Sequence, residues 1–325
     1  MPSDVETDLL IIGAGPTGLY AAYYAGFRGL SVAMVDSLPA LGGQVTAMYP
    51  EKAILDVAGF PAILGRELVA GLVAQASTAD PTYLLDRSAL SFEQRDETVV
   101  IGLDDGTSVT AKAVVVTAGI GKFAPRPLPV GMDWVGRGVE FFVPSFAPYA
   151  GKDVVIVGGG DSAFDWAVHL EPVARSVTLV HRRDAFRAHH RTVEQVKSLP
   201  IDIMTKAQVT GMSGDGTLSH VEVTVDGAEP VTRPAQAVVA ALGFIADLGA
   251  LQTWGLETRK RHIVVDSAMR TNLPRIFAAG DITEYPGKVR LISVGFGEAA
   301  TAVNNAAVVI DPSAHVCPGH SSEGS

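Results

Sequence analysis

The chain has 325 residues, of which 47% are hydrophobic and 18% charged, and a net charge of −10, which is enough material for two packed domains. The shortage of Lys and Arg excludes nucleic acid as a partner, because its phosphates would meet no basic surface. A single cysteine, Cys317, excludes an intramolecular disulfide and a cysteine-built metal cluster.

The first strong pattern is the apolar run Leu9–Phe27. Gly13, Gly15, Pro16 and Gly18 interrupt it, and Asp4, Glu6 and Asp8 precede it, the wrong sign for a signal peptide. It reads as strand Asp8–Ile12, a glycine turn and helix Thr17–Phe27, followed by strand Ser31–Val35. No other run approaches a membrane span, so a soluble, cytoplasmic protein with no membrane contact is expected. In Gly13-x-Gly15-x-x-Gly18 the glycines let the backbone turn sharply and approach a pyrophosphate at the positive end of the helix. Asp36 stands 23 residues after Gly13, at the end of the next strand. A carboxylate there accepts from both ribose hydroxyls and repels a 2′-phosphate. The first turn therefore takes an unphosphorylated adenosine, as in FAD or NAD. Leu90–Arg95, Thr98–Leu103 and Ser108–Ala111 then read as short meander strands, and Val114–Thr117 leads into TAGIG (Thr117–Gly121).

The series now repeats. Strand Asp153–Val157 leads into Gly158-Gly159-Gly160-Asp161-Ser162-Ala163, helix Ser162–Leu170 and strand Ser176–Val180. At the offset where the first copy has its acid, this one has His181, with Arg182 and Arg183 next and Arg187 beyond. Guanidinium groups bind phosphate oxygens in a fork, which suits a 2′-phosphate and predicts NADPH. Short strands around Gln208–Met212, His220–Val225 and Pro230–Thr232 follow, and Ala237–Ala241 leads into ALGF (Ala241–Phe244). One site for FAD and one for NADPH imply hydride transfer from nicotinamide C4 to flavin N5.

TAGIG and ALGF close matching series and mark the crossings between domains, and too few residues follow for a third unit. The expected fold class is α/β: two Rossmann-like dinucleotide-binding domains, each with an added antiparallel β-meander. The FAD-binding domain is expected at residues 1–118 and 246–325, and the NADPH-binding domain at 119–245.

The motifs GAGPTG, GGGDSA, HRRDAFRA and IFAAGDI (Ile276–Ile282) resemble the low-molecular-weight thioredoxin reductases over nearly the whole chain. Those enzymes carry a CxxC disulfide just before the second glycine turn. Here that place reads FFVPSFAPYAGKDVVIVGGG, so electrons cannot leave by thiol exchange. A closer resemblance is to the thioredoxin-reductase-like ferredoxin–NADP reductases, on LGGQVTAMYPEKAILDVAGFP (Leu41–Pro61), GDITEYPGKVRLISVGFGEAATAVNNA (Gly280–Ala306) and PGHSS (Pro318–Ser322).

That resemblance implies an FAD-dependent enzyme moving electrons between NADPH and a one-electron carrier, ferredoxin or flavodoxin, and it implies a homodimer. On matching positions, Thr17 would lie at the pyrophosphate, Asp36 at the ribose and Ala89 at the adenine. Gly43 and Gln44 would run along the FAD, and Phe123 would line it. Tyr49 would stack on one flavin face and His320 would cover the other, with Ser321 beside it; neither is required as an acid or base. Asp281 would hydrogen-bond the ribityl chain, and a helix beginning near Gly297 would point its amides at the pyrimidine edge. Lys288 and Arg290 are expected to help dock the carrier, and Arg259-Lys260-Arg261 to be a solvated turn. The alternatives are an NADPH-dependent flavin reductase acting on quinones or other acceptors, and a non-catalytic NADP(H)-binding sensor.

Overall fold

A computed structural model describes residues 4–317, and the side chains of all of these except 122–124 and 246. Its helices are α1 (Pro16–Phe27), α2 (Gly43–Met48), α3 (Gly65–Ala76), α4 (Asp161–Leu170), α5 (His190–Ser198) and α6 (Ile292–Ile310). The chain forms two compact units, Met1–Phe123 with Ala246–Ser325, and Ala124–Ile245.

The first unit is built on a seven-stranded sheet. Val5–Ile12 lies at its centre, parallel to Val32–Val35 on one side and to Ser108–Val116 on the other. Leu9–Ile12 is wholly apolar and buried, as a strand covered on both faces must be. α1 packs against α3 and α6. Helix α3, which the glycine motifs do not announce, turns Leu68, Val69, Leu72 and Ala76 inward at helical spacing.

The two expected runs Ser108–Ala111 and Val114–Thr117 are one strand, Ser108–Val116. Its first half pairs antiparallel with Val99–Leu103, and its second half pairs parallel with Ile276–Ala278. The change of partner falls at the polar Lys112, which made the sequence look broken there. Ile276–Ala278 also shows the C-terminal segment completing the first unit's sheet. Trp254 fastens that returning segment: its indole N–H donates to the Leu90 carbonyl at 3.2 Å, and its ring stacks on Phe92.

The second unit repeats the plan with a five-stranded parallel sheet in the order Val139–Glu140, Ala237–Ala240, Asp153–Val157, Ser176–Val180, Asp202–Met204. Its meander, Ala207–Asp215, Thr217–Val225 and Val231–Pro234, is a separate antiparallel sheet. The correspondence reaches the level of single bonds. Gly13 N–H donates to Val35 O and Thr117 N–H to Ile12 O, while Gly158 N–H donates to Val180 O and Ala241 N–H to Val157 O. In each unit the glycine turn therefore sits at the carboxyl ends of three parallel strands, where open α/β sheets bind ligands.

Candidate active site

Both glycine turns are shaped by what a side chain would strike. A Cβ on Gly13 (φ +112) would lie 2.6 Å from Thr117 O, and one on Gly158 would lie 2.5 Å from Ala241 O. A Cβ on Gly18 would come still closer to backbone, at 1.9 Å from Gly13 O. Ala163 fills the corresponding place in the second unit. Gly15 and Gly160 cap α1 and α4, and no atom lies within 4 Å of the place a Cβ would take on either. The open side above each cap is where a ligand can approach the helix amides.

Above Gly15 lies a cavity of about 820 Å³, within the first unit, in the range of about 300–1,000 Å³ usual for cofactor sites. The N-terminus of α1 has no side-chain cap and no acid in its first turn, so its unpaired amides present partial positive charge to the cavity. Gly13, Gly15, Thr17, Asp36, Gly43, Gln44, Tyr49, Ala89 and Asp281 all line it. The start of α2 backs directly onto that of α1: a Cβ on Gly43 (φ +56) would lie 2.9 Å from Gly15 Cα. Gln44 covers Gly119, its Nε2 being 2.7 Å from where a Cβ would sit.

At one end of the cavity, Asp36 is already engaged by backbone. Its Oδ2 accepts from Ala14 N–H at 2.6 Å and its Oδ1 from Leu38 N–H at 2.8 Å. Burial pushes its carboxyl above the ordinary carboxylate range despite these bonds. Each oxygen keeps a lone pair for a further donor. Asp86, Arg87, Ser88 and Asp104 close this end. Ser88 N–H donates to Asp104 at 3.0 Å, and Arg87 pairs with Asp105 at 2.7 Å.

At the other end stand Tyr49, Asp281 and Ile292. Tyr49 ends α2. Burial, with the charges of Asp281 and Asp56, pushes its hydroxyl up to about 12. Burial likewise raises Asp281 above the usual carboxylate range, against the pull of Lys288 and Arg290. The helix expected to begin near Gly297 begins at Ile292, a turn and a half earlier, and its N-terminus too has no side-chain cap and no first-turn acid. The amides available to the cavity are therefore those of Ile292–Val294, since Gly295 N–H already donates to Leu291 O.

A buried charged network underlies this end. Lys288 and Glu298 pair at 2.5 Å, with side chains 2% and 5% exposed. Glu298 also accepts from Gly280 N–H at 2.7 Å and from the Tyr285 hydroxyl at 2.5 Å. Lys288 donates a further bond to Gly280 O at 3.0 Å. It is thus a structural cation, and the expectation that it docks a carrier is corrected: its ammonium does not reach solvent. Arg290 is spent on Glu284 at 2.8 Å. The Thr17 side chain reaches from α1 to this network; a Cβ on Gly280 or Gly295 would come within 2.9 or 2.4 Å of it.

In the second unit the place of Asp36 is taken by His181. Its ring lies against Gly159, where a Cβ would come within 2.2 Å of it. Nε2 lies 3.2 Å from the Ala185 carbonyl, and Phe186 packs between His181 and Phe164. Burial lowers the His181 pKa, with help from Arg183, Arg182 and Arg187, so at neutral pH it brings shape and not charge. Arg182, Arg183 and Arg187 are exposed on the same loop, beside Gly158, Gly160, Ser162 and Ala163 at the start of α4. Asp161 turns its carboxylate to His189 N–H at 2.8 Å, on the loop that enters α5.

His320 and Ser321 lie outside the described residues, as does the side chain of Phe123. The cavity also holds residues that sequence reasoning missed: Asp86–Ser88, Asp104, Ile292 and the returning segment Asp247–Leu251. The available signal was the turn DDG, which folds the meander back so that Asp104 reaches Ser88. For Asp247–Leu251 no local motif exists. Among the described residues, no group of three His, Cys, Asp or Glu side chains could hold a metal ion, and no helix is long and apolar enough to cross a membrane.

The residues present fit an FAD: an uncapped, acid-free helix end for the pyrophosphate, an acid at the ribose end, and an aromatic ring and a second uncapped helix end at the far side. Comparison with known proteins agrees. Residues 7–306 match the pyridine nucleotide-disulphide oxidoreductase family. The sequence is 74% identical to a ferredoxin–NADP reductase of Nocardioides sp., with the whole of both chains covered. It is 63% identical to one from Salinispora arenicola, over 98% of this chain and 99% of that one. Among solved structures, the thioredoxin reductase of T. acidophilum superposes with a TM-score of 0.79 at 27% identity, over 93% of this chain and 98% of that one. The fold class is thus α/β and thioredoxin-reductase-like.

Proposed function

The chain belongs to the pyridine nucleotide-disulphide oxidoreductase family, and from that premise we propose how it acts. It is an oxidoreductase that uses FAD to move electrons between NADPH and ferredoxin. The observation that carries this reading is full-length likeness to ferredoxin–NADP reductases in a chain whose single cysteine, Cys317, leaves no dithiol for the thioredoxin reaction.

When bound, FAD supplies the exchange between two-electron and one-electron chemistry. The chain's own residues do the rest. The α1 amides and Thr17 receive the pyrophosphate, and Asp36 accepts from the ribose. Gln44 and Asp281 orient the chain between the rings. Tyr49, neutral at any physiological pH, packs against the isoalloxazine and excludes water without exchanging a proton. The α6 amides of Ile292–Val294 favour negative charge at the pyrimidine edge. Arg182, Arg183 and Arg187 hold the 2′-phosphate of NADPH, and the open cap at Gly160 takes its pyrophosphate.

The enzyme works in the cytoplasm as a homodimer, with flavodoxin as the alternative carrier to ferredoxin. Support for the dimer is a half-exposed aromatic ladder on α1, Tyr20, Tyr23, Tyr24 and Phe27, with Phe296 of α6 against Tyr20; sedimentation velocity at micromolar concentration tests it.

Anaerobic stopped-flow absorbance tests the activity. NADPH is expected to bleach the flavin band, and oxidised ferredoxin to restore it. Bleaching that a quinone reverses and ferredoxin does not would make the chain a flavin reductase of other acceptors. A colourless protein that cannot be reconstituted with FAD would leave only a nucleotide-binding role.

A further inference from the structure

We propose that the basic hairpin Arg259–Arg261, together with the exposed apolar residues Leu55, Phe60 and Leu291, is the face on which an acidic electron-carrier protein docks. The inference rests on the activity proposed above and adds the place where the partner sits.

Position is the first argument. Thr258–Arg259 and His262–Val264 form a two-residue hairpin, with Arg259 paired to His262. The second strand runs parallel to Thr283–Glu284, with Ile263 opposite Thr283 and Ile263 N–H bonded to Ile282 O at 2.7 Å. Carried two residues back, that register brings the hairpin turn level with Asp281, which lines the cavity and feels the charge of His262. The basic turn therefore stands at the same end of the cavity as Tyr49 and the start of α6.

Turn chemistry is the second. Lys260 (φ 49) and Arg261 (φ 67) are the two central residues of the hairpin loop. A loop with two positive φ angles strongly favours Asn-Gly, because other side chains crowd the following carbonyl. Among the described residues these two are the only consecutive non-glycine pair at positive φ. The fold needs a turn here but not two long cations, and backbone held in a disfavoured region at the mouth of a site points to a role for the side chains it carries.

Charge is the third. At −10 overall, the protein repels an acidic partner over most of its surface. Arg259, Lys260 and Arg261 place three consecutive exposed cations on one turn, whereas the Lys288 ammonium is sealed against Glu298.

An apolar centre lies on the same side. Leu55 is 71% exposed, Phe60 47% and Leu291 38%. Ser293, in the first turn of α6, ties the loop of Leu55 and Phe60 to the helix: Ala58 N–H donates to its hydroxyl oxygen at 3.2 Å, and its hydroxyl donates to Asp56 O at 3.0 Å. Ile292, between Leu291 and Ser293, lines the cavity. Large apolar side chains beside a charged rim are the composition of a transient docking surface, and this one opens onto the proposed flavin site.

The test uses the FAD-loaded enzyme with NADPH and a purified acidic [2Fe–2S] ferredoxin. K260N/R261G removes two charges and installs the residues the turn prefers, so folding is protected. It should raise the KM for ferredoxin about tenfold and flatten the fall of kcat/KM with added salt, with turnover on the neutral quinone menadione unchanged. L55S should raise the same KM and leave the salt dependence as it is. R95S, which removes an exposed cation from another hairpin, is the matched control and should change neither. An unchanged ferredoxin KM in K260N/R261G, or an equal rise in R95S, overturns the docking face while the activity stands. A wild-type enzyme that reduces menadione but no ferredoxin overturns the activity reading, and the docking face with it.

Discussion

The imidazole of His181 lies across Gly159 so closely that a Cβ there would come within 2.2 Å of the ring. The corresponding pair in the first unit is Asp36 and Ala14, joined by a hydrogen bond of 2.6 Å from the Ala14 amide. Two copies of one strand–turn–helix thus differ at the contact that faces the ribose: a carboxylate held by an amide in one, an uncharged ring over a glycine in the other. With the ring packed down and neutral, discrimination for the 2′-phosphate falls to the exposed arginines. R182S/R183S is expected to raise the KM for NADPH by about 10–100-fold, since a hydrogen bond to a charged group contributes about 1.5–3 kcal/mol. The KM for NADH should stay within about twofold. Parallel steady-state titrations of both nucleotides decide it; equal losses for the two would assign the arginines a structural role.

G159A tests the packing itself. The methyl group must displace His181 and, through it, Phe186 and the loop bearing the arginines, whose Arg187 N–H donates to Gly159 O at 2.8 Å. Nicotinamide-cofactor binding should weaken, while FAD content, which depends on the other unit, stays at one per chain. G18A should do the reverse. Its Cβ would meet the Gly13 carbonyl at 1.9 Å, and the backbone shift needed to relieve the clash moves the α1 amides. Overpacking of this kind costs about 1–3 kcal/mol, so FAD affinity should fall by about 10–100-fold. The ratio of flavin to protein absorbance after gel filtration reads both variants.

The glycine turns, Asp36 and the arginine loop were legible because each is a local pattern: spacing fixes the strand, the turn and the helix, and the acid or base follows at a set offset. Tyr49 and Asp281 came from resemblance, and the structure brings them to one end of the cavity. What stayed hidden is non-local. Ser108–Val116 changes partner midway, so its pattern looked like two strands. The lining by Asp247–Leu251 depends on Trp254 anchoring the returning chain to Leu90, a contact across 164 residues. Lys288 looked like a surface cation because nothing in the run YPGKVR announces a partner; Glu298 is ten residues further on, inside α6. A helix start without a capping side chain is equally silent, which is why α6 was expected a turn and a half late.

Alkaline pH should reveal the buried hydroxyls. Tyr49, Tyr149 and Tyr285 are each pushed up to about 12, in every case by burial first. A tyrosine whose folded pKa lies above its unfolded value of about 10 contributes stability that is complete below pH 10. That contribution is lost as the pH climbs toward 12, because the unfolded chain ionises first. The melting temperature should therefore decline between about pH 10 and 12, and Y49F should decline less steeply than wild type. The same shift means that Tyr49 does not titrate in the assay range. A Y49F enzyme should keep the wild-type shape of its pH–rate profile between pH 6 and 9, and a lost limb in that range would show that the hydroxyl does exchange a proton.

The Lys288–Glu298 pair yields an asymmetric prediction. Glu298 holds two neutral donors besides the ammonium: Gly280 N–H and the Tyr285 hydroxyl. Lys288 has the Gly280 carbonyl and the face of the Tyr285 ring besides its carboxylate. Removing one member of a buried pair costs about 3–5 kcal/mol because the other charge is left uncompensated. E298Q leaves an ammonium with one carbonyl and a ring face, whereas K288M leaves a carboxylate still hydrogen-bonded. E298Q should therefore be the more damaging, lowering the melting temperature by roughly 10 °C or more, with a smaller loss in K288M. The double variant K288M/E298Q should lose less than the sum of the two, because it strands no charge. Both single variants should also release FAD more readily, since Gly280, held by both side chains, carries Asp281 on its far side. Differential scanning calorimetry of the FAD-free and FAD-loaded forms separates the two effects. The gap between the forms should narrow in both variants, and a uniform drop with an unchanged gap would confine the network to stability alone.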